Sequence, residues 1–236
     1  MASRVEARAD FHRRLLDAAR RRMAADGAAG LGMRVLARDL GVTPGALYRY
    51  VRSRDDLLTL LVIDSYTSLG DAAAEAESAV PRSDVEGRWV AVWLAVHAWA
   101  GAHPHEYALI HGTPVAGYRA PQETVGPGTR LNILLARIAV DLPVAEPPPQ
   151  VAPLTGGLAD DVQRIRNWLA TQGITTTHVP DPAILAVAQG LSTLIGTIGL
   201  ELFGHFKGGF ENPREFVAHA ARRSLAEVST AMGHVL

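Results

Sequence analysis

The run Met33 to Leu58, MRVLARDLGVTPGALYRYVRSRDDLL, constrains this chain more than any other stretch, because it reads as two short helices around a glycine turn, followed by a cationic helix start. Leu36, Ala37 and Leu40 follow a three-to-four spacing, so one face of the first helix is apolar while Arg34 and Arg38 point elsewhere. Gly41 ends that helix, since a residue just past a helix end often needs a positive φ. Thr43 is a good N-cap, and Pro44 suits the first helical position, where no N–H donor is required. The second helix is expected from Pro44 to about Tyr50. Its leading residues, Pro44, Gly45 and Ala46, are small enough for the helix to approach base edges in a major groove. Leu47 is its core anchor. Tyr48, Arg49 and Tyr50 supply hydroxyls and a guanidinium that can bond phosphates or, for Arg49, a guanine edge. Ser53-Arg54-Asp55-Asp56 then has the pattern of a capping box opening the next helix. Together these features outline a DNA-reading helix-turn-helix.

Such a motif can also be purely structural, since Leu-x-x-Leu spacing with a glycine is common in helical proteins. Charge separates the two readings. Residues 1 to 60 carry twelve arginines against seven acidic residues, whereas the remainder is net acidic and the whole chain has a formal charge of −1. A near-neutral total thus hides a cationic end, the electrostatic footprint of phosphate binding. Arg20, Arg21 and Arg22 read as a solvated helix face rather than as phosphate ligands.

From about Phe11 to Leu61 the chain resembles the N-terminal DNA-binding domain of the TetR family of transcriptional regulators. The family core G-V-T/S-x-G-x-L-Y stands here as Gly41-Val42-Thr43-Pro44-Gly45-Ala46-Leu47-Tyr48. The preceding helix fits as well, with Leu15, Ala19 and Met23 four apart and Asp26-Gly27 closing it. Three positions depart from the family pattern: Gly32 in place of a Ser or Thr cap, Val51 in place of an aromatic, and Arg54 in place of a lysine. Thr43, Tyr48, Tyr50 and Arg54 are expected to hold phosphates and Pro44, Gly45, Ala46 and Arg49 to face bases of a double-stranded operator, with Arg34 also at the DNA interface.

Length and composition bound the rest. At 236 residues and 48% hydrophobic content the chain can build a packed core. The absence of cysteine excludes disulfides and cysteine-ligated zinc. The longest apolar stretch, Ile184 to Phe206, is interrupted by Gln189, Ser192, Thr193, glycines, Glu201 and His205, so no membrane partner is expected. Residues 1 to 30 are charged throughout, so no signal peptide is expected and the cytoplasm is the expected compartment. No phosphate loop or dinucleotide fingerprint appears, and Gly190-Leu191-Ser192-Thr193-Leu194 lacks the second glycine of a nucleophile elbow. The chain is therefore expected to be no enzyme and to need no cofactor. His97, His103, His105 and His111 lack acidic or thiol partners at a ligand spacing, so no metal is expected. A helical interaction adaptor that no longer binds DNA is the alternative reading, and the basic end argues against it.

The fold class expected is all-α, with a helix-turn-helix domain over 1–53 and a larger helical ligand-binding and dimerisation domain over 54–236. A fourth helix is expected from Arg54 to about Ser78. Ser83-Asp84-Val85-Glu86 should cap a helix through Trp89, Trp93, Val96 and Ala100. His103-Pro104 should start a short helix through Tyr107 and Ile110. A Gly/Pro-rich loop over Thr113 to Pro127 should precede an apolar helix from Arg130 to about Asp141, and Leu142 to Gly157 should be an exposed loop. A helix over Leu158 to Gln172 follows. Asp181-Pro182 and Asn212-Pro213 each place a capping residue before proline, and Glu215 could reciprocate to Asn212.

The last two helices are too apolar to stand alone, and packing within the chain or against a second copy would cover them. The resemblance implies the second copy, since TetR-like regulators commonly dimerise through their final helix pair. Leu191, Leu194, Ile195, Ile198, Val217, Ala221, Leu225 and Val228 are the expected homodimer interface. His103 to Leu109, Gly117 to Pro121 and Gly199 to Gly204 resemble a C-terminal ligand-binding type found in many actinobacterial members. Trp93, His97, Tyr107, Ile110, Ile133 and Phe203 are the expected lining of a small-molecule effector site, although each would serve equally as plain core. The resemblance implies a ligand-released repressor in which the fourth helix tilts and changes the spacing of two recognition helices.

Overall fold

The computed structural model describes residues 4–146 and 154–234, so part of the expected loop from Leu142 to Gly157 lies outside the described residues. The described residues form α-helices and short 3-10 turns with no strand: α1 (Arg4–Asp26), α2 (Met33–Asp39), α3 (Pro44–Leu47), α4 (Arg54–Ser78), α5 (Val85–Ala102), α6 (Pro104–His111), α7 (Val125–Gly128), α8 (Arg130–Ala139), α9 (Gly157–Thr171), α10 (Asp181–Leu202) and α11 (Pro213–Ala231). The chain divides into two compact units, one comprising 1–68 with 102–128 and the other 69–101 with 129–236.

The first unit is organised by a single apolar cluster. Leu15, Ala19 and Met23 of α1 meet Leu36 of α2 and Leu40 just past its end, Leu47 of α3, and Leu57, Leu58 and Leu61 of α4. A boundary at residue 53 would cut this core, because Leu57, Leu58 and Leu61 of α4 are fully buried in it. Residues 102–128 close its far side. Leu109, Val115 and Tyr118 pack on the cluster, and the hydroxyls of Tyr118 and Thr59 are 3.0 Å apart. Glu106 on α6, buried, lies 3.4 Å from Nε of Arg20, which also bonds Asp64 on α4. Arg20 is therefore an internal tie between three helices and not a solvated cation.

In the second unit α10 and α11 pack along each other, and Gly190 of α10 lies against the Trp89 ring of α5. A Cβ at Gly190 would stand 2.5 Å from Ser224 Oγ and 3.2 Å from the Trp89 ring, so only glycine permits this approach. Trp89, Val92, Trp93 and Val96 fill the α5 face. Arg88 is 2% exposed in its side chain and lies 2.6 Å from Glu77 and 2.7 Å from Asp141. Burial alone would lower its pKa, but these hydrogen bonds and charges raise it above the ordinary value, so the guanidinium stays charged inside the protein.

Three helix starts differ from the sequence expectation. At α5 it is Asp84, not Ser83, that caps, accepting from Gly87 N–H at 2.8 Å. At α10 the carboxylate of Asp181 is held by Arg166 at 2.5 Å and does not cap. At α11 Asn212 occupies the N-cap position at φ −120°, ψ 68°, outside the extended conformation that aims a side chain at the helix N–H groups, and makes no side-chain cap.

The expected dimer interface is also corrected. Leu194, Ile198, Val217, Ala221, Leu225 and Val228 are buried within the single chain, because the apolar faces of α10 and α11 are taken by each other and by the rest of this unit. Leu191 and Ile195 are half-buried. The outward stripe of α10 is instead Gln189, Thr193, Gly196 and Leu200, all exposed. By length and composition α10 is the one helix among the described residues long and apolar enough to cross a membrane, and its buried side includes Ala183, Ile184, Leu194 and Ile198.

Candidate DNA interface and C-terminal cavity

The turn into the candidate recognition helix is built from backbone hydrogen bonds. Gly41 takes φ +68°, its N–H donates to Arg38 O at 3.1 Å, and Val42 N–H donates to Ala37 O at 2.9 Å. This is the paired arrangement of a Schellman motif, with Val42 packed on the core beneath. Thr43 then caps α3, its hydroxyl accepting from Ala46 N–H at 3.2 Å. The α-helix proper is shorter than expected. It ends at Leu47, after which Arg49 N–H reaches Ala46 O and Tyr50 N–H reaches Leu47 O, bonds that span three residues and tighten the turn.

Leu47 and Val51 are buried and fix this segment to the core, which turns Thr43, Pro44, Gly45, Tyr48, Arg49 and Tyr50 outward. Ala46 is half-buried, and Arg34 on α2 is exposed. Tyr48 and Tyr50 are 47% and 41% exposed, with their rings at the surface beside Arg49. The Tyr50 ring stacks on Phe11 with centroids 4.0 Å apart, which ties α1 to the end of the motif.

Arg54 departs from its expected role as a phosphate ligand. Its Nη2 donates to Ala28 O at 2.9 Å and its Nε to Leu31 O at 3.2 Å, so this half-buried guanidinium closes the connection between α1 and α2. Arginine suits the position because its planar fork serves two carbonyls at once. The cap of α4 comes from Ser53, whose hydroxyl accepts from Asp56 N–H at 3.0 Å, while Asp56 accepts from Arg52 N–H. Gly32 starts α2 with no side-chain cap. Arg22 bonds Asp39 through Nε at 2.6 Å and Nη2 at 2.8 Å, and this hydrogen bonding holds the Asp39 carboxyl below its usual range.

Two residues expected at an effector site lie in this first unit. Tyr107 is fully buried and its hydroxyl pKa is pushed up by burial; Ile110 accepts from the Tyr66 hydroxyl at 3.1 Å. Between them His111 meets the rings of Tyr66 and Tyr107 at 5.7 and 5.1 Å. Burial pushes its pKa down to about 4, so the imidazole is neutral.

The second unit contains a cavity of about 300 Å³. It is walled by Leu135, Ala136 and Ala139 of α8, Ile165, Trp168 and Leu169 of α9, and Ile184, Val187 and Leu191 of α10, with Met232 closing one side. Its polar groups are Thr129, Asn132 and Thr176. None of the expected ligand residues lines it. Trp93 is fully buried within the core. His97 is engaged by Glu201 at 2.8 Å. Phe203 is 50% exposed just past α10, and Ile133 packs behind the wall against the cluster of Ala136, Leu169 and Ile174. Leu191, expected at a dimer interface, faces this cavity.

Comparison with known proteins agrees with this architecture. Residues 15–61 match the profile of bacterial regulatory proteins of the tetR family, and residues 89–224 match the tetracyclin repressor-like C-terminal domain. The HTH-type transcriptional regulators Rv1816 of Mycobacterium tuberculosis and Mb1846 of Mycobacterium bovis are each 32% identical over 235 residues, covering 97% of this chain and 96% of theirs. The crystal structure of the regulatory protein SCO4313 superposes with a TM-score of 0.72 at 28% identity, over 99% of this chain and 100% of that one. With a recognition motif on a buried core, a helical C-terminal unit and full-length relatives that are transcriptional regulators, the chain belongs to the TetR family of bacterial transcriptional regulators.

Proposed function

We propose that this regulator is a homodimeric repressor that binds an inverted-repeat operator in the cytoplasm and leaves it when a small molecule occupies the C-terminal unit. The observation that carries the DNA contact is the row Tyr48-Arg49-Tyr50, exposed on a segment pinned from beneath by Leu47 and Val51. In this reading Thr43, Tyr48 and Tyr50 hold phosphates, Arg34 adds a cation beside them, and Pro44, Gly45, Ala46 and Arg49 meet base edges. Arg54 acts from behind, by fixing the α1–α2 connection.

A single copy presents one short recognition segment, too little for a long site. Two copies would engage half-sites roughly 34–36 Å apart. The proposed contact uses the outward stripe Gln189, Thr193, Gly196 and Leu200, together with the groove where α10 meets Arg223, Glu227 and Thr230 of α11. A Cβ at Gly196 would meet nothing within 4 Å, so Gly196→Arg should leave the protomer folded while placing a cation in the contact.

The test combines duplex anisotropy across a salt series with sedimentation. Wild type should lose affinity linearly on a log–log salt plot and carry two protomers per duplex. Gly196→Arg should sediment as a monomer and bind at least about tenfold more weakly. Absence of duplex binding even at low salt would instead support an adaptor without DNA binding, and a persistent dimer in the variant would move the interface elsewhere.

A further inference from the structure

Building on the reading that the C-terminal unit senses a small molecule, we propose that the cavity between α8, α9 and α10 takes an uncharged, ring-bearing molecule with a single hydroxyl, amine or carbonyl group. The argument rests on what surrounds the space. Every one of its lining residues is apolar or neutral. Within the Thr176 to Val179 wall the one titratable side chain, His178, is exposed, with Nε2 3.4 Å from Val140 O, and does not line the space; Arg166, the nearest arginine in the chain, is fully engaged there. It bonds the carbonyls of Thr176 and of Val179, the latter at 2.6 Å, and the carboxylate of Asp181 at 2.5 Å. A carboxylate, phosphate or sulfonate entering the cavity would therefore lose its hydration without gaining a counter-charge, a penalty far larger than apolar contact returns. An ammonium would fare no better, because no lining residue is acidic.

The polar features point to one hydrogen-bonding end on the ligand. Thr129 and Asn132 are three residues apart at the start of α8 and so share one side of the helix. Asn132 lines the cavity, its carboxamide makes no hydrogen bond to another described residue, and an amide can both donate and accept. The lining also includes Trp168, Ile184 and Met232, a flat ring with branched and thioether neighbours suited to a planar apolar body. Ala136 and Ala139 contribute only small side chains to the lining. At about 30 Å³ for each water-sized group the space holds on the order of ten such groups, the size of a one- or two-ring compound.

1-Naphthylamine, a neutral two-ring amine whose fluorescence responds to apolar surroundings, is a suitable probe. Its sulfonated relative, 5-aminonaphthalene-1-sulfonate, carries the same rings plus a charge. The full-length protein should bind the neutral probe at one site per chain and the sulfonate at least about tenfold more weakly. Ala136→Phe should fill the cavity and abolish neutral-probe binding. Since overpacking can also unsettle the fold, Trp168→Phe provides a second check: excitation of tryptophan should transfer to the bound probe in wild type and transfer clearly less in the variant. Asn132→Lys should reverse the preference toward the sulfonate. Equal binding of both probes to wild type would overturn the uncharged class, and undiminished transfer in Trp168→Phe would overturn the location.

The same titration performed with the operator duplex present separates this inference from the sensing reading. Probe that fills the cavity without changing duplex affinity upholds the site and removes its regulatory role. Failure of the probe to bind a protein that still binds its duplex overturns the site and leaves DNA recognition standing.

Discussion

In the N-terminal unit the side chains proposed to meet DNA are neighbours in sequence, Tyr48, Arg49 and Tyr50, and all are exposed. In the C-terminal unit the cavity is assembled from three helices and a residue beyond a fourth, so that Asn132, Trp168, Ile184 and Met232 meet only in the folded chain. One surface is made by a rigid core pushing polar groups outward, the other by apolar walls that leave a void. An outward site tolerates change in its own residues at little cost to the fold but depends on the few anchors beneath it. An internal site shares its residues with the core, so its contents and the stability of the unit are linked.

Removing a buried anchor of the second unit should have the largest effect. Arg88→Ala leaves Glu77 and Asp141 without their cation and should cost about 3–5 kcal/mol in urea denaturation, as when one partner of a buried ion pair is deleted. A loss below about 1 kcal/mol would mean the pair is solvated after all.

Next comes pH, which acts on the first unit. His111 has a folded pKa of about 4 against an ordinary value of 6.5, so between these values the unfolded chain binds the extra proton. Its contribution is complete above pH 6.5 and is lost as pH falls toward 4, by up to about 3 kcal/mol. His111→Phe should flatten the stability profile across that window, whereas an unchanged profile would place the acid sensitivity in other groups.

Arg49→Ala, on the outward surface, should leave denaturation unchanged. Competition binding with single-base variants of the operator should show relaxed preference at one position per half-site, a loss of about 1–3 kcal/mol in discrimination. A uniform weakening over all sequences would assign Arg49 to phosphate. The smallest expected effect is Thr43→Ala, which removes the α3 cap and should lower stability by about 1 kcal/mol. No change would show that the turn at Gly41 alone sets the helix start.

The same contrast explains what could be read from the sequence. The glycine at Gly41, the cap at Thr43 and the anchor at Leu47 obey rules that operate within a few residues, and α4 runs over the expected Arg54–Ser78. Arg54 was legible as a cation at a helix start, but nothing near it announces the carbonyls of Ala28 and Leu31 that hold it. Likewise the apolar periodicity of α10 and α11 shows that these faces are covered, not by what. Burial of Leu194, Ile198 and Val228 within one chain answers that question, and it is a property of packing. The cavity was hidden for a related reason. Its aromatic wall is Trp168, a lone ring on a polar-looking helix, while the conspicuous Trp93 fills the core. A weak signal was present at Thr129 and Asn132, two polar residues at the start of the otherwise apolar α8.

Selection of bound duplexes from a random DNA pool by the purified full-length protein at moderate salt tests the central claim most directly. Enrichment of an inverted repeat whose half-sites lie one helical turn apart, or a multiple of it, is the predicted result. Failure to enrich any sequence, with protein shown to be folded and free of bound small molecules, would contradict it.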